Sequence, residues 1–177
     1  MSSTSSTKDA ALAAVGRTVV NFQRLEHNLK IAARYGPLEG VLAKVQKDIE
    51  RRVEKSLTLT LGQAIQVWLT AIGGDSHKAT PTPDLFDPTI RMTFSLNRDS
   101  ESVTSHFESL ARLLEVRNNL IHGGLVTFDW NSPNACARLI EDLKPVNDDI
   151  GSQLDFLAAV IASVQDIQWE DVDLDEE

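Results

Sequence analysis

A row of apolar residues at helical spacing in the segment Asp99–Gly124 constrains the fold of this chain more than any other feature. Recurrence every three or four residues is typical of a helix that buries one face. Asp99 or Ser100 can cap the first turn, and the Gly123-Gly124 pair can close the last turn in the left-handed conformation. The segment therefore predicts one long helix whose buried row is Val103, Phe107, Leu110, Leu114, Leu120 and Ile121.

The rest of the chain repeats the helical pattern between glycine and proline breaks. The predicted helices are 8–35, ended by Gly36-Pro37; 38–55; 61–72, with Thr60 as N-cap and Gly73-Gly74 beyond it; and 135–144 and 146–168, separated by Pro145. The segment 85–96 fits either a short helix or an extended arm. Together with 99–124, these helices predict an all-α, single-domain bundle of five or six helices over residues 8–168. The serine- and threonine-rich residues 1–7 are expected to be disordered.

Composition excludes several classes of protein. The apolar runs are too short to cross a membrane, and the N-terminus lacks the pattern of a signal peptide. The single cysteine, Cys136, excludes an intrachain disulfide framework, and its spacing to His27, His77 and His106 matches no metal site. The sequence therefore predicts a cytoplasmic protein with no membrane partner, no metal and no cofactor.

The net charge of −9 is concentrated at the C-terminal end. Residues 166–177 carry seven acidic side chains and no basic one, so the remaining chain has 17 basic and 19 acidic residues, a net charge of −2. The acidic tail, 169–177, is either a solvated end or a segment that docks on a basic surface. The most basic surface is predicted on the 38–55 helix, where it is either a solvated face or an RNA contact. Its cations are Lys44, Lys47, Arg51, Arg52 and Lys55.

Polar residues occupy the last two turns of the 99–124 helix. Buried or half-buried charge is costly unless it is paired, so Arg117 and His122 beside an apolar row need an explanation. The guanidinium of arginine is planar and permanently charged, and its N–H groups can donate to two oxygens of one phosphate. The imidazole of histidine can take and give a proton near neutral pH. Their five-residue spacing turns a helix by about 500°, so the two side chains point about 140° apart. This geometry favours a site shared by two copies of the chain, although the same residues could simply cap the helix end.

The pattern of Arg117, four residues and His122 within LLEVRNNLIHGG resembles the HEPN-domain superfamily, and VNFQRLEHNLK in the first helix resembles it more weakly. The resemblance implies a HEPN-like helical fold and a metal-independent endoribonuclease, of the kind found among toxins and phage-defence effectors. In the toxin branch paired with nucleotidyltransferase antitoxins, a tyrosine stands two residues after the histidine, whereas this chain has Gly124 there.

The resemblance also implies roles for particular residues. Arg117, Asn118 and His122 would be catalytic, and Asn118 and Asn119 would orient the imidazole or bind RNA. Further RNA-binding residues are suggested by charge and not by the resemblance: Lys44, Lys47, Arg51 and Arg52. RNA, such as tRNA or mRNA, would be cleaved by attack of its own 2′-hydroxyl in a composite site of a homodimer, and an antitoxin or regulatory protein would be a further partner. The alternative is a non-catalytic HEPN-like interaction module that binds a protein or a nucleotide through Arg117.

Overall fold

A computed structural model describes residues 2–35, 38–72, 89–92 and 100–165. Five helices carry the fold: α1 (Ser2–Ala32), α2 (Leu42–Leu57), α3 (Leu61–Ile72), α4 (Ser100–Asn119) and α5 (Pro133–Gln165). A 3-10 turn, Ala33–Tyr35, follows α1, and a π-helical turn, Leu120–Gly124, continues α4. The prediction of an all-α bundle is confirmed, with one small addition, the strand pair β1 (Leu38–Val41) and β2 (Thr89–Met92).

Helix α1 packs most extensively on α5, and the two run in the same direction. Thr18 of α1 bonds to Asn147 of α5, while further along both helices Asn28 and Ala158 line one groove. Helix α4 runs antiparallel to α5. Arg112 and Asp149 form a 2.6 Å ion pair, and the next contact back along α4 joins Ser109 to Gln153.

Two apolar clusters hold these helices together. The larger one joins α1, α3, α4 and α5, and its fully buried members include Leu25, Leu29, Leu61, Leu110 and Leu157. The smaller cluster lies at the end of the bundle where α4 finishes and combines Val15, Leu120 and Leu143 with the half-buried Leu125 and Trp130. The second cluster fixes the position of the π-helical turn relative to α1 and α5.

The cap predicted for α3 is present. The Thr60 hydroxyl accepts a bond from the Gln63 amide, and the Gln63 side chain accepts one from the Thr60 amide, which is a reciprocal capping box. Ser132 and Pro133 likewise begin α5, with the Ser132 hydroxyl accepting from the Ala135 amide.

The long helix α5 differs from its prediction, because it passes through Pro145 without a break. Proline in a helix interior removes one backbone hydrogen bond and costs about 3 kcal/mol. Pro145 lies on the exposed side of α5, so the carbonyl that loses its partner faces water, while the opposite side packs along α1. Tertiary packing therefore outweighs the local preference.

Two other boundaries differ from the sequence prediction. Helix α1 begins at Ser2, so residues 2–7, which were expected to be disordered, are helical. The free-energy cost of extending an existing helix is far lower than that of starting one.

Helix α2 begins only at Leu42, because the four residues before it form a strand. This strand, Leu38–Val41, pairs antiparallel with Thr89–Met92, so that Leu38 lies opposite Met92. Of the two alternatives for segment 85–96, Thr89–Met92 adopts the extended one. Residues 73–88, 93–99 and the acidic segment 166–177 lie outside the described residues.

The buried face of α4 is rotated from the predicted one. The buried residues are His106, Leu110, Leu113 and Leu120. Among the residues predicted to be buried, Val103, Phe107 and Leu114 are half-buried, and Ile121 is 37% exposed. Ile49 of α2 is likewise an apolar helical residue that is largely exposed, at 45%. His106 can occupy a core position because its Nε2 accepts a 3.0 Å hydrogen bond from the Trp68 indole, which satisfies a polar atom that burial would otherwise penalise.

Asn147 is the polar link between α1 and α5. Its amide donates to the Thr18 hydroxyl and to the Leu143 carbonyl, at 2.8 and 2.7 Å, and its oxygen accepts from Asn21 at 2.7 Å. We expect Asn147→Ala to lower the free energy of unfolding by about 1–3 kcal/mol, because it leaves part-buried groups without partners. Urea denaturation, with exposed Asn134→Ala as the control, measures this. Equal stability of the two variants would contradict the role given to Asn147.

No helix among the described residues combines the length and the apolar content needed to cross a membrane.

Candidate functional site at the end of α4

Arg117 lies on the core-facing row of α4. The buried residues His106, Leu110, Leu113 and Leu120 recur at intervals of three, four or seven, and Arg117 falls between the last two. Arg117 is half-buried as a residue, and its guanidinium has no carboxylate partner among the residues that the structure describes. A guanidinium without a carboxylate partner is a candidate for binding an anion.

The neighbouring asparagine holds Arg117 in place. Asn118 Oδ1 accepts a 3.1 Å hydrogen bond from Arg117 Nη1. Asn118 lies four residues before His122, a spacing that places both on one face of an uninterrupted helix, but its described hydrogen bond is to Arg117. Asn118 therefore orients the guanidinium, whose remaining N–H groups have no acceptor among the described side chains.

His122 lies on the π-helical turn, Leu120–Gly124, and is exposed. Hydrogen bonds in a π-helix run from residue i to i+5, and such turns occur frequently at functional sites. The wider turn advances less than 100° per residue, so the angle between Arg117 and His122 is smaller than the 140° of an uninterrupted α-helix. The turn thus brings the two side chains closer to a common direction.

The cluster does not act as a helix cap within the described residues. A capping role would have the side chains of Asn118, Asn119 or His122 donating to the last carbonyls of α4. The only hydrogen bond that the described structure gives these side chains is the one from Arg117. Asn119 and His122 are both exposed. The four polar residues are consequently available to a ligand.

The glycines after His122 do not adopt the predicted left-handed conformation. The π turn continues through both of them, and Leu125 follows with right-handed angles, φ −82° and ψ −24°. A side chain at Gly124 would place its Cβ 3.2 Å from the Asn119 carbonyl oxygen, whereas one at Gly123 would meet nothing within 4 Å. Close approach of the backbone, not a left-handed angle, is what requires glycine at position 124.

This difference gives a matched pair of variants. Alanine in a helical position is more stable than glycine by up to about 1 kcal/mol, provided that it fits. We expect Gly123→Ala to gain stability and Gly124→Ala to be less stable than it by about 1 kcal/mol, because the Asn119 carbonyl must move. Chemical denaturation compares them, and equal stabilities would contradict the backbone approach described for the turn.

Helix α2, which carries the basic residues predicted to bind substrate, is attached away from the place where α4 finishes. A 2.9 Å hydrogen bond from Arg34 to Ser56 ties α2 to the end of α1, whereas Leu120 packs near Val15. Residues 15 and 34 are 19 positions apart, about 28 Å at the helical rise. The described contacts of α2 therefore do not join it to the turn that bears His122; its basic residues are Lys44, Lys47, Arg51 and Arg52.

The cations of α2 differ from one another. Lys44, Lys47 and Arg51 are exposed, and Arg51 pairs with Asp48 at 2.8 Å. Burial lowers the pKa of the Arg52 guanidinium below its ordinary value; the charge of Asp48 opposes this change, and that of Arg51 adds to it. Arginine stays protonated, so Arg52 keeps its charge. The three exposed residues are the ones that a polyanion can reach.

A groove of about 510 Å³ between α1 and α5 contains none of the residues predicted for the site. Arg24, His27 and Asp155 line it. It lies beside residues 154–158 of α5, whereas the turn after α4 packs at Leu143, about 18 Å back along the helix. No cluster of three or more histidine, cysteine, aspartate or glutamate side chains within the described residues could hold a metal ion.

Comparison with protein-family models, with curated proteins and with solved structures gave no match for this chain.

Proposed function

We propose that the protein is a HEPN-type, metal-independent endoribonuclease whose site is built on Arg117 and His122. The observation that carries the proposal is the half-buried Arg117 on the core-facing row of α4, with no carboxylate partner among the described residues, beside an exposed histidine on a π turn. An uncompensated guanidinium and a solvent-accessible imidazole suit the binding and cleavage of a phosphodiester.

The proposed reaction uses the RNA's own nucleophile. His122 removes the proton of a 2′-hydroxyl, and that oxygen forms a bond to the adjacent phosphorus. Arg117 stabilises the charge that develops on the phosphate oxygens. The bond from phosphorus to the 5′-oxygen then breaks, and this oxygen takes up a proton from an imidazolium, leaving a 2′,3′-cyclic phosphate and a 5′-hydroxyl. Asn118 acts by orienting Arg117, and Asn119, exposed beside it, contacts the RNA.

A second copy of the chain would complete this site. Three apolar side chains are exposed at the end of the bundle that carries Arg117 and His122: Leu12, Ile121 and Val126. Val126 is 80% exposed, and a cluster of exposed apolar side chains at one end of a bundle suits contact with another protein surface. A symmetric homodimer through this end would bury these residues and bring two motifs together.

The dimer gives a direct prediction. Val126→Asp should convert a dimer into a monomer, because it places a charge within an apolar contact, and it should leave the fold intact because Val126 is exposed. Leu57→Asp is the control, since Leu57 is 60% exposed at the other end of the bundle. Sedimentation velocity at micromolar concentration distinguishes the species. A wild-type monomer, or a dimer unchanged by Val126→Asp, would contradict this interface.

The substrate would be an RNA long enough to reach α2. Because α2 is attached about 28 Å along α1 from Val15, we propose that its cations bind phosphates away from the cleaved bond: Lys44, Lys47, Arg51 and Arg52. A folded tRNA or a long mRNA meets this requirement better than a short oligonucleotide. We further propose that the activity serves as a cytoplasmic toxin or phage-defence effector, restrained by an antitoxin or regulatory protein.

Incubation of the purified protein with total RNA and with tRNA, in EDTA and in Mg²⁺, tests the proposal. We expect cleavage in both conditions. Cleavage that requires Mg²⁺ would contradict the mechanism. No cleavage in either condition, with a protein or nucleotide that co-purifies and is lost from Arg117→Ala, would instead support the non-catalytic interaction module.

A further inference from the structure

The loop that leaves the π turn carries two aromatic residues. Phe128 and Trp130 lie 4.7 Å apart between ring centroids, inclined by 63° in an edge-to-face arrangement, and both are half-buried. Trp130 packs against the cluster that contains Leu120, a residue of the turn that also bears His122. Phe128 follows His122 by six positions, which limits the distance between their Cα atoms to about 20 Å.

Hydrogen bonds fix the shape of this loop. The Trp130 amide donates to the Phe128 carbonyl, and the Asn131 amide donates to the Asp129 carboxylate at 3.0 Å. The Ser132 amide donates to the Asp129 carbonyl, which leads the chain into α5. The aromatic pair is thereby held in place before any ligand arrives, which reduces the entropy lost on binding.

The two rings differ in what the core requires of them. Trp130 belongs to the apolar cluster around Val15 and Leu143, whereas Phe128 belongs to neither described cluster. The indole N–H of Trp68 is used in the core, but that of Trp130 has no acceptor among the described residues. Phe128 and Trp130 therefore form a partly exposed aromatic pair, of which only Trp130 is held by a described apolar cluster.

We propose that Phe128 and Trp130 form a nucleobase-stacking subsite next to Arg117 and His122. Unpaired bases of single-stranded RNA stack on aromatic side chains, and this contact tolerates any base because each has a π face. Asp129, the residue between them in sequence, carries a negative charge that repels phosphate, so this part of the loop takes the base and leaves the phosphate to Arg117. The inference rests on the proposed function, which supplies RNA as the ligand.

The test uses the full-length protein and a single-stranded RNA that is long enough to reach α2, fluorescently labelled and 2′-O-methylated, so that it cannot be cut by its own 2′-oxygen. We expect Phe128→Leu to weaken binding by about 5- to 150-fold and Phe128→Trp to retain it. Replacing the stacked base with an abasic residue should lower the affinity of the RNA for the wild-type protein. The same replacement should not lower the affinity for Phe128→Leu further, because that variant has already lost the stacking contact. Phe107→Leu, in the N-terminal half of α4, is the control and should bind like wild type.

Three outcomes would overturn the subsite. Wild type and Phe128→Leu could bind the RNA equally, or wild type could fail to bind it. The abasic replacement could also lower the affinity for Phe128→Leu as much as it lowers the affinity for wild type. Cleavage of unmodified RNA is measured separately. If the binding results are as expected but no RNA is cut, the proposed function fails and the subsite stands; if RNA is cut but Phe128→Leu binds normally, only the subsite fails.

Discussion

Replacing His122 with alanine is expected to lower the rate of RNA cleavage by at least about 100-fold, since a positioned general acid or base contributes about 10²- to 10⁴-fold. The fold should be unaffected, because His122 is exposed and its side chain has no hydrogen bond among the described residues. We expect the free energy of unfolding to change by no more than about 0.5 kcal/mol. Initial rates on one tRNA, together with urea denaturation of the same samples, measure both quantities.

His27→Ala is the matched control for this variant. His27 is also an exposed helical histidine, but it lines the groove between α1 and α5, away from the end of α4. The control should cleave at the wild-type rate. Full activity of His122→Ala, or an equal loss in His27→Ala, would show that His122 is not the proton-transfer group.

The second large effect concerns the core. Leu110 is completely buried where α4 meets α1, α3 and α5. Leu110→Ala should lower the free energy of unfolding by about 2–5 kcal/mol, which combines the lost burial with the cavity left behind. Leu57→Ala, at a leucine that is 60% exposed, should change it by no more than about 0.5 kcal/mol.

Urea denaturation gives both values, provided that the slope of stability against urea is unchanged. A loss below about 1 kcal/mol for Leu110→Ala would contradict the position of α4 in the bundle. Such a result would also remove the basis for placing Arg117 on the core-facing row.

The sequence predicts the helices well because their apolar periodicity is local. It does not predict α5 as a single helix, since tolerance of Pro145 depends on which side of α5 faces water. Nor does it predict β1, because Leu38–Val41 becomes a strand only through its partner Thr89–Met92, about 50 positions along the chain. Local pattern determines helix type, whereas boundaries that depend on distant partners require the fold.

The face of α4 illustrates a second limit. Leu113 and Leu114 are adjacent, so either could lead the buried row, and the spacing of the apolar residues alone favoured Leu114. The deciding residue is His106, which periodicity treats as polar but which enters the core through its bond to Trp68. Arg117 belongs to the core-facing row only because His106, Leu110 and Leu113 define that row.

The candidate site is partly predictable. Arg117, Asn118, Asn119 and His122 follow from the motif, and the structure places them at one end of the bundle. The π turn and the partnership of Arg117 with Asn118 had no signal in the helical spacing. The aromatic pair could have been noticed from the sequence TFDW, but its position beside the π turn depends on how the loop packs.

The chemical nature of the RNA ends tests the central proposal most directly. Attack by the 2′-hydroxyl must leave a 2′,3′-cyclic phosphate on one fragment and a 5′-hydroxyl on the other, in EDTA as in Mg²⁺. Mass spectrometry of a single cleaved tRNA identifies both ends. Fragments with these ends, absent from Arg117→Ala and His122→Ala, are the expected result; fragments with a 5′-phosphate and a 3′-hydroxyl, formed only with Mg²⁺, would contradict it.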